Sequence, residues 1–371
     1  MEITPFELEA WYTKYEFTSK YNLSASGIKP LSINDLNVPA DFMSIPLGYL
    51  PVTGSTELKE KISQIYNSSP EEILITNGAI EAIFLIQMAL INPGDKVITL
   101  KPVYPALYQV AKDIGAEIIE WKLEYEDSFK PDIGRLKKLM EKYQPKLLII
   151  NFPNNPTSIT INQEQTEDII LLARQNNCYL VADEIYHELS YKKTFSPVFK
   201  SYHERGISIS SLSKAYGLPG LRIGWIIAEK EIIKKCLNLR LYTTLCSNFT
   251  GEKIATIILK ERNEILESNL EHAKHNFQLI SPFLEKWKND SLIDYVEPQA
   301  GVMIFIKLNN VQNTEPFCIE FEKEYSILLL PGIKYGNEYK QFFRLGFGGE
   351  PNQLLYCMEK LEQFLYKSFF K

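Results

Sequence analysis

Between about residues 72 and 228 the chain alternates short, uninterrupted apolar runs with longer amphipathic stretches. The runs "ILIT" (73–76), "KVITL" (96–100), "AEIIEWKL" (116–123), "KLLIIN" (146–151), "CYLVAD" (178–183), "ISIS" (207–210) and "RIGWIIA" (222–228) read as buried strands. The stretches "AIEAIFLIQMAL", "ALYQVAKDIG", "GRLKKLMEKY" and residues 163–176 read as the helices between them. Such alternation predicts an α/β fold with a mostly parallel sheet covered by helices.

Beyond residue 248 the pattern changes. A long charged helical stretch runs to Pro282, followed by "GVMIFIKL", "SILLLPG" and "FFRLGF" as strands and by helices at 315–325 and 351–368. This predicts a smaller α+β domain. The expected organisation is an N-terminal segment, 1–45, packing with the small domain; a large domain, 46–281; and a small C-terminal domain, 282–371.

Composition narrows the function classes. The 371 residues are 45% hydrophobic and 23% charged, with a net charge of −6. No dense basic run is present, which argues against nucleic acid or an anionic membrane as partner. The N-terminus has neither the basic nor the apolar region of a signal peptide, and no apolar run is long enough to span a bilayer. The five cysteines have no metal-ligand spacing and read as reduced thiols. A cytoplasmic protein without a bound metal is expected.

In a parallel α/β sheet, ligands sit beyond the carboxyl ends of the strands. Polar clusters fall at those ends here: "TNGAIEA", "KPVYP", "NFPNNPTS", "DEIYHEL" and "SSLSK". One such cluster would be ordinary loop chemistry; the set on one sheet edge defines a site. From "GYLPVTG" (48–54) to "FRLGF" (343–347), these motifs resemble the class I/II aminotransferases, pyridoxal-phosphate (PLP) enzymes of fold type I. The resemblance implies the aspartate-aminotransferase-like architecture, PLP as cofactor, amino-acid and 2-oxo-acid substrates, and a homodimer with shared active sites.

It also implies roles for individual residues. Lys214, in "SLSK", forms the imine to the PLP aldehyde and serves as base and acid at the substrate Cα. Taken alone, a lysine reads as a solvated surface residue. Gly78, Ala79 and Ile80 open a helix whose N–H groups face the phosphate, with Ser211, Ser213 and Arg222 as further donors. Asp183 sits beside the pyridine nitrogen, and Asn155 and Tyr186 beside the 3-oxygen. Tyr104 stacks on the ring. Tyr49 reaches the phosphate of the neighbouring subunit. Arg344 clamps the substrate α-carboxylate, with Asn155 and Gly27 also on the substrate side.

Two points depart from the pattern. Ser158 stands where the family has glycine after "NNPT". The four histidines, 187, 203, 272 and 275, match no catalytic position and read as surface or packing residues. "GFGG" at 346–349 lacks the spacing of a dinucleotide loop and is set aside. The tyrosine of "DEIY" favours transamination over a β-lyase. A second resemblance, in the Ser24–Gly27 loop and in "LRLYTTLCSNF", is to capreomycidine synthases. It keeps open an alternative: a PLP cyclase or lyase acting on an arginine-derived amino acid. A PLP-binding transcription regulator would need a winged-helix segment ahead of the matched region, and none is expected.

Overall fold

The computed structural model describes residues 2–192 and 195–369, the side chains of Asp41 and Met43 excepted. The strands, in chain order, are β1 (Tyr21–Asn22), β2 (Ile73–Thr76), β3 (Lys96–Lys101), β4 (Glu117–Lys122), β5 (Leu147–Asn151), β6 (Tyr179–Asp183) and β7 (Gly206–Ser211). They continue with β8 (Gly224–Ile227), β9 (Ile293–Tyr295), β10 (Met303–Leu308), β11 (Ile327–Leu328), β12 (Leu330–Pro331) and β13 (Phe342–Gly346).

Seven of them form the large sheet, in the order β2-β8-β7-β6-β5-β3-β4. Pairing is parallel from β7 through β6, β5 and β3 to β4, whereas β8 runs against both β7 and β2. Strands β2, β5, β7 and β8 are buried along their whole length, as continuous apolar runs between two helical layers must be. Each buried Leu or Ile adds about 1.5–3 kcal/mol over an exposed one.

The helix Ala79–Leu90 is apolar on nearly every side: Ala82, Ile83, Leu85, Ile86 and Leu90 are buried, whereas Ile80 and Phe84 are exposed. Its one buried amide, Gln87, donates to the Ala106 carbonyl at 2.8 Å and accepts from the Ala111 N–H at 2.9 Å. That pairing satisfies Gln87 and ties the helix to its successor, Ala106–Ile114. The helix Gln163–Gln175 begins with an Asn162 capping box, and Ile133–Tyr143 with an Asp132 cap.

The expected break at Pro282 is not found. Two helices, Phe249–Lys260 and Arg262–Asn289, succeed each other, and Pro282 lies inside the second. The expected 281/282 boundary therefore falls within one helix, whose buried stripe (Ala273, Ile280, Leu284, Trp287) continues past the proline. Beyond it, β12-β13-β10-β9 form a separate antiparallel sheet. The N-terminal segment joins this side: β1 pairs with β11, Tyr21 opposite Ile327.

Candidate active site

The reversed strand β8 explains how distant residues converge. In the sheet register Gly224 lies opposite Ser211 on β7 and opposite Thr76 on β2. Arg222, two residues earlier, is thereby delivered beside both strand ends. Its Nη2 donates to the Asn77 carbonyl at 3.3 Å and its Nη1 to the Pro219 carbonyl at 3.0 Å. Gly78 has φ +80°, and a Cβ there would lie 2.5 Å from Arg222 Nη2. Only glycine lets the guanidinium approach the helix start.

The Gly78 N–H is itself occupied, donating to the Thr76 carbonyl at 2.9 Å. The N–H groups of Ala79 and Ile80, in the first turn of the helix, have no intrahelical acceptor. Ser211 and Ser213 are buried next to them, the Ser213 N–H donating to Ser211 Oγ at 3.1 Å. Charged fork, hydroxyls and helix N-terminus together can hold a dianion.

Asn151 and Asp183 face each other in the β5–β6 register. The Asp183 carboxylate is buried and accepts from the Ile185 N–H at 3.2 Å. Burial pushes it up to about 7, against that hydrogen bond and the charge of Lys214. A carboxylate so enclosed would be stabilised by a cation at its free side.

Lys214 follows the turn after β7. Its Nζ donates to Ser26 Oγ at 2.9 Å. Burial, then the charge of Arg344, lower the amine to about 8, while Glu9 and Glu16 act in the opposite sense. A methyl group on Gly27 would lie 3.3 Å from Lys214 Cδ, so the 23–28 loop lies directly on the lysine. Burial raises the Tyr186 phenol, opposed by the Arg344 charge and by a hydrogen bond from Ser26. Tyr104 donates to Glu9 Oε1 at 2.6 Å.

Arg344, on β13, is 2% exposed. Its Nη1 donates to Asn155 Oδ1 at 2.9 Å and to the Tyr335 hydroxyl at 2.7 Å. Nη2 donates to the Tyr12 hydroxyl and, at 2.7 Å, to the Ser24 carbonyl, which also accepts from Nε at 3.2 Å. These contacts match the five N–H groups of a guanidinium in number.

The structure thus gathers Lys214, Asp183, Tyr186, Asn155, Gly27 and Arg344, and beside them Gly78, Ala79, Ile80, Ser211, Ser213 and Arg222. Tyr49 lies apart at 89% exposure. Ser158 adopts φ +57°, the left-handed conformation for which glycine is the usual choice, and its hydroxyl donates to the Met303 carbonyl at 2.8 Å. The turn after "NNPT" is kept despite the side chain. None of the four histidines is among these partners: His203 pairs with Glu72, His187 with Phe195 and Glu188, His272 with the 348–349 carbonyls, and His275 is exposed.

Sequence reasoning missed Tyr12, Ser24, Ser26 and Tyr335. The "GFGG" stretch held an unused signal for two of them. A Cβ on Gly346 would lie 1.9 Å from the Ala25 carbonyl oxygen, and one on Gly348 2.2 Å from that of Gly27. These glycines seat the 23–28 loop.

The model of the aminotransferase class I and II family matches residues 43–361. A PLP-dependent aminotransferase from Streptococcus suis superposes with a TM-score of 0.92 at 32% identity, covering 99% of each chain. Capreomycidine synthase of Streptomyces vinaceus is 26% identical over 348 residues, 92% of this chain and 88% of that protein. Aspartate aminotransferase of Thermotoga maritima is 27% identical over 328 residues, 85% of this chain and 83% of that one. Among the described residues no helix is long and apolar enough to cross a membrane. The chain belongs to the class I and II aminotransferases and is a PLP-dependent enzyme.

Proposed function

We propose that this chain moves an amino group between an L-amino acid and a 2-oxo acid, acting at Lys214 in a cytoplasmic homodimer. The observation that carries the reading is that one amine and one buried guanidinium meet the same loop, Lys214 Nζ at Ser26 Oγ (2.9 Å) and Arg344 Nη2 at the Ser24 carbonyl (2.7 Å). An α-amino acid presents its reacting centre one bond from a carboxylate, and those two groups match that pair.

When bound, PLP supplies an aldehyde for the amine and a ring that accepts electrons. Asp183 holds a proton on the ring nitrogen. Asn155, whose Oδ1 is taken by Arg344 and Tyr335, has its NH₂ left for the 3-oxygen, with Tyr186 as second donor. Ala79, Ile80, Ser211, Ser213 and Arg222 hold the phosphate, with Gly78 making room for the arginine. Tyr104 flanks the ring. Arg344 takes the substrate carboxylate on N–H groups that Ser24 and Tyr12 give up. Lys214, neutral in part near pH 8, removes the Cα proton.

Dimerisation is supported by the exposed apolar side chains of Leu47, Tyr49, Tyr242 and Leu245. Tyr49 then reaches the phosphate held by the partner subunit.

The cyclase reading is favoured by one feature, the carboxylates of Glu9 and Glu16, whose charge is felt at Lys214 and would suit a cationic side chain. A screen of amino acids against the cofactor-loaded protein separates the two. Bleaching of the visible band with release of a 2-oxo acid supports transamination. A cyclised or deaminated product without an acceptor supports the alternative. Lys214→Ala should abolish either.

A further inference from the structure

We propose that Ser26 is a positioning residue for the Lys214 amine, its hydroxyl holding the amine in line with the Tyr186 phenol. Ser26 Oγ accepts from Lys214 Nζ at 2.9 Å. A hydroxyl that accepts still has its own proton to give, and Ser26 supplies the side-chain hydrogen bond felt at Tyr186. The amine-to-serine bond is the geometric link on which the proposal stands.

The serine is held from two sides. The Ile28 N–H donates to the Lys214 carbonyl at 3.3 Å, and the Leu31 N–H to the Gly217 carbonyl at 2.9 Å. On the other face the Gly346 N–H donates to the Leu23 carbonyl at 2.8 Å. The loop cannot swing away without breaking these bonds. A lysine has four side-chain torsions, and a free amine left to itself samples many rotamers. A fixed acceptor selects the rotamer that aims the lone pair into the site, which matters when the amine must accept a proton. The charged groups facing the amine are Arg344, Glu9, Glu16, Arg222 and Asp183. None of them is hydrogen-bonded to Nζ, so the direction of the amine comes from Ser26.

The inference rests on Lys214 being the cofactor lysine. If that reading fails, borohydride trapping finds no Lys214 adduct in the wild type. If it holds, Ser26→Ala and Ser26→Thr are compared with wild type in two measurements. One is the rate at which the visible band forms when PLP is added to cofactor-free protein, as a function of pH. The other is steady-state kcat and KM. Ser26→Ala should slow band formation and lower kcat by about three- to tenfold with KM little changed, the scale of one hydrogen bond. Ser26→Thr, which keeps the hydroxyl, should restore both. Wild-type band formation and kcat in Ser26→Ala would overturn the proposal. So would equal losses in both variants, because that pattern reports a disturbed loop, not a lost hydroxyl.

Discussion

The Ser24 carbonyl oxygen sits across Arg344, accepting from Nη2 at 2.7 Å and from Nε at 3.2 Å. A main-chain oxygen thus occupies donors that a substrate carboxylate would use. On the proposed role of Arg344, binding would be an exchange in which a charged acceptor displaces a neutral one. Charge-assisted hydrogen bonds are about twice as strong as neutral ones, so the exchange favours the substrate. Arg344→Lys keeps the charge and loses the fork. It should raise KM for amino-acid substrates by about ten- to a hundredfold, with a smaller effect on kcat. Steady-state kinetics checks this, and an unchanged KM would remove Arg344 from the carboxylate site.

Asp183 gives a prediction in pH. Burial raises both Asp183 and its neighbour Glu184 to about 7. Carboxyls in an unfolded chain titrate near ~4. Between those values the folded state holds more protons, so this contribution to stability is full at low pH and is lost as pH rises through 7. In cofactor-free protein, Asp183→Asn should lose less Tm than wild type between pH 5 and 8, Glu184 contributing equally to both. PLP should offset the Asp183 part in wild type by placing a cation beside it. Parallel melting curves for the two proteins would contradict the assignment. In the loaded enzyme Asp183→Ala should lower kcat by about two to three decades.

Tyr49 tests the assembly. Tyr49→Phe should stay dimeric and bind PLP about ten- to a hundredfold more weakly, the scale of one charge-assisted hydrogen bond. Mixing Tyr49→Phe with Lys214→Ala subunits should create hybrids in which one site has both residues. Half the sites of each hybrid should recover wild-type affinity. An active monomer, or hybrids with no tight site, would exclude a shared phosphate site.

Gly346→Ala probes the seat of the 23–28 loop. The added methyl would meet the Ala25 carbonyl oxygen at 1.9 Å, backbone against β13, where no rotamer offers escape. The variant should keep its helical circular dichroism but lose turnover and expose residues 20–30 to proteolysis. Gly349→Ala, with open space around its Cβ, should behave as wild type.

Which of these features could be read from the chain alone follows from how local each is. The large sheet was legible because its strands are short apolar runs and its helices are amphipathic stretches between them. The residues along its carboxyl edge followed from resemblance, because each follows its strand within a few positions. Pro282 misled because a proline can be carried inside a long helix when the flanking turns are held by burial. Ser24, Ser26, Tyr12 and Tyr335 were not legible. Ser24, Ser26 and Tyr12 meet Arg344 or Lys214 across 320, 188 and 332 residues, and Tyr335, though nine positions from Arg344, meets Asn155 across 180. No periodicity links positions so far apart, and a serine in a polar loop looks the same whether or not it meets a catalytic lysine.

The pairing of β1 with β11 has a consequence for how the chain comes off the ribosome. Tyr21 and Asn22 are made long before their partners, Ile327 and Leu328. Arg344 and Gly346, which receive Ser24 and Leu23, come later still. A nascent chain that has released only its large sheet has β2 through β8 in hand, but its N-terminal loop has nowhere to dock. Contacts of such sequence separation form late because their loop entropy must be met before they stabilise anything. On this argument the 23–28 loop closes over Lys214 only after the strands that seat it, β11 and β13, have been made.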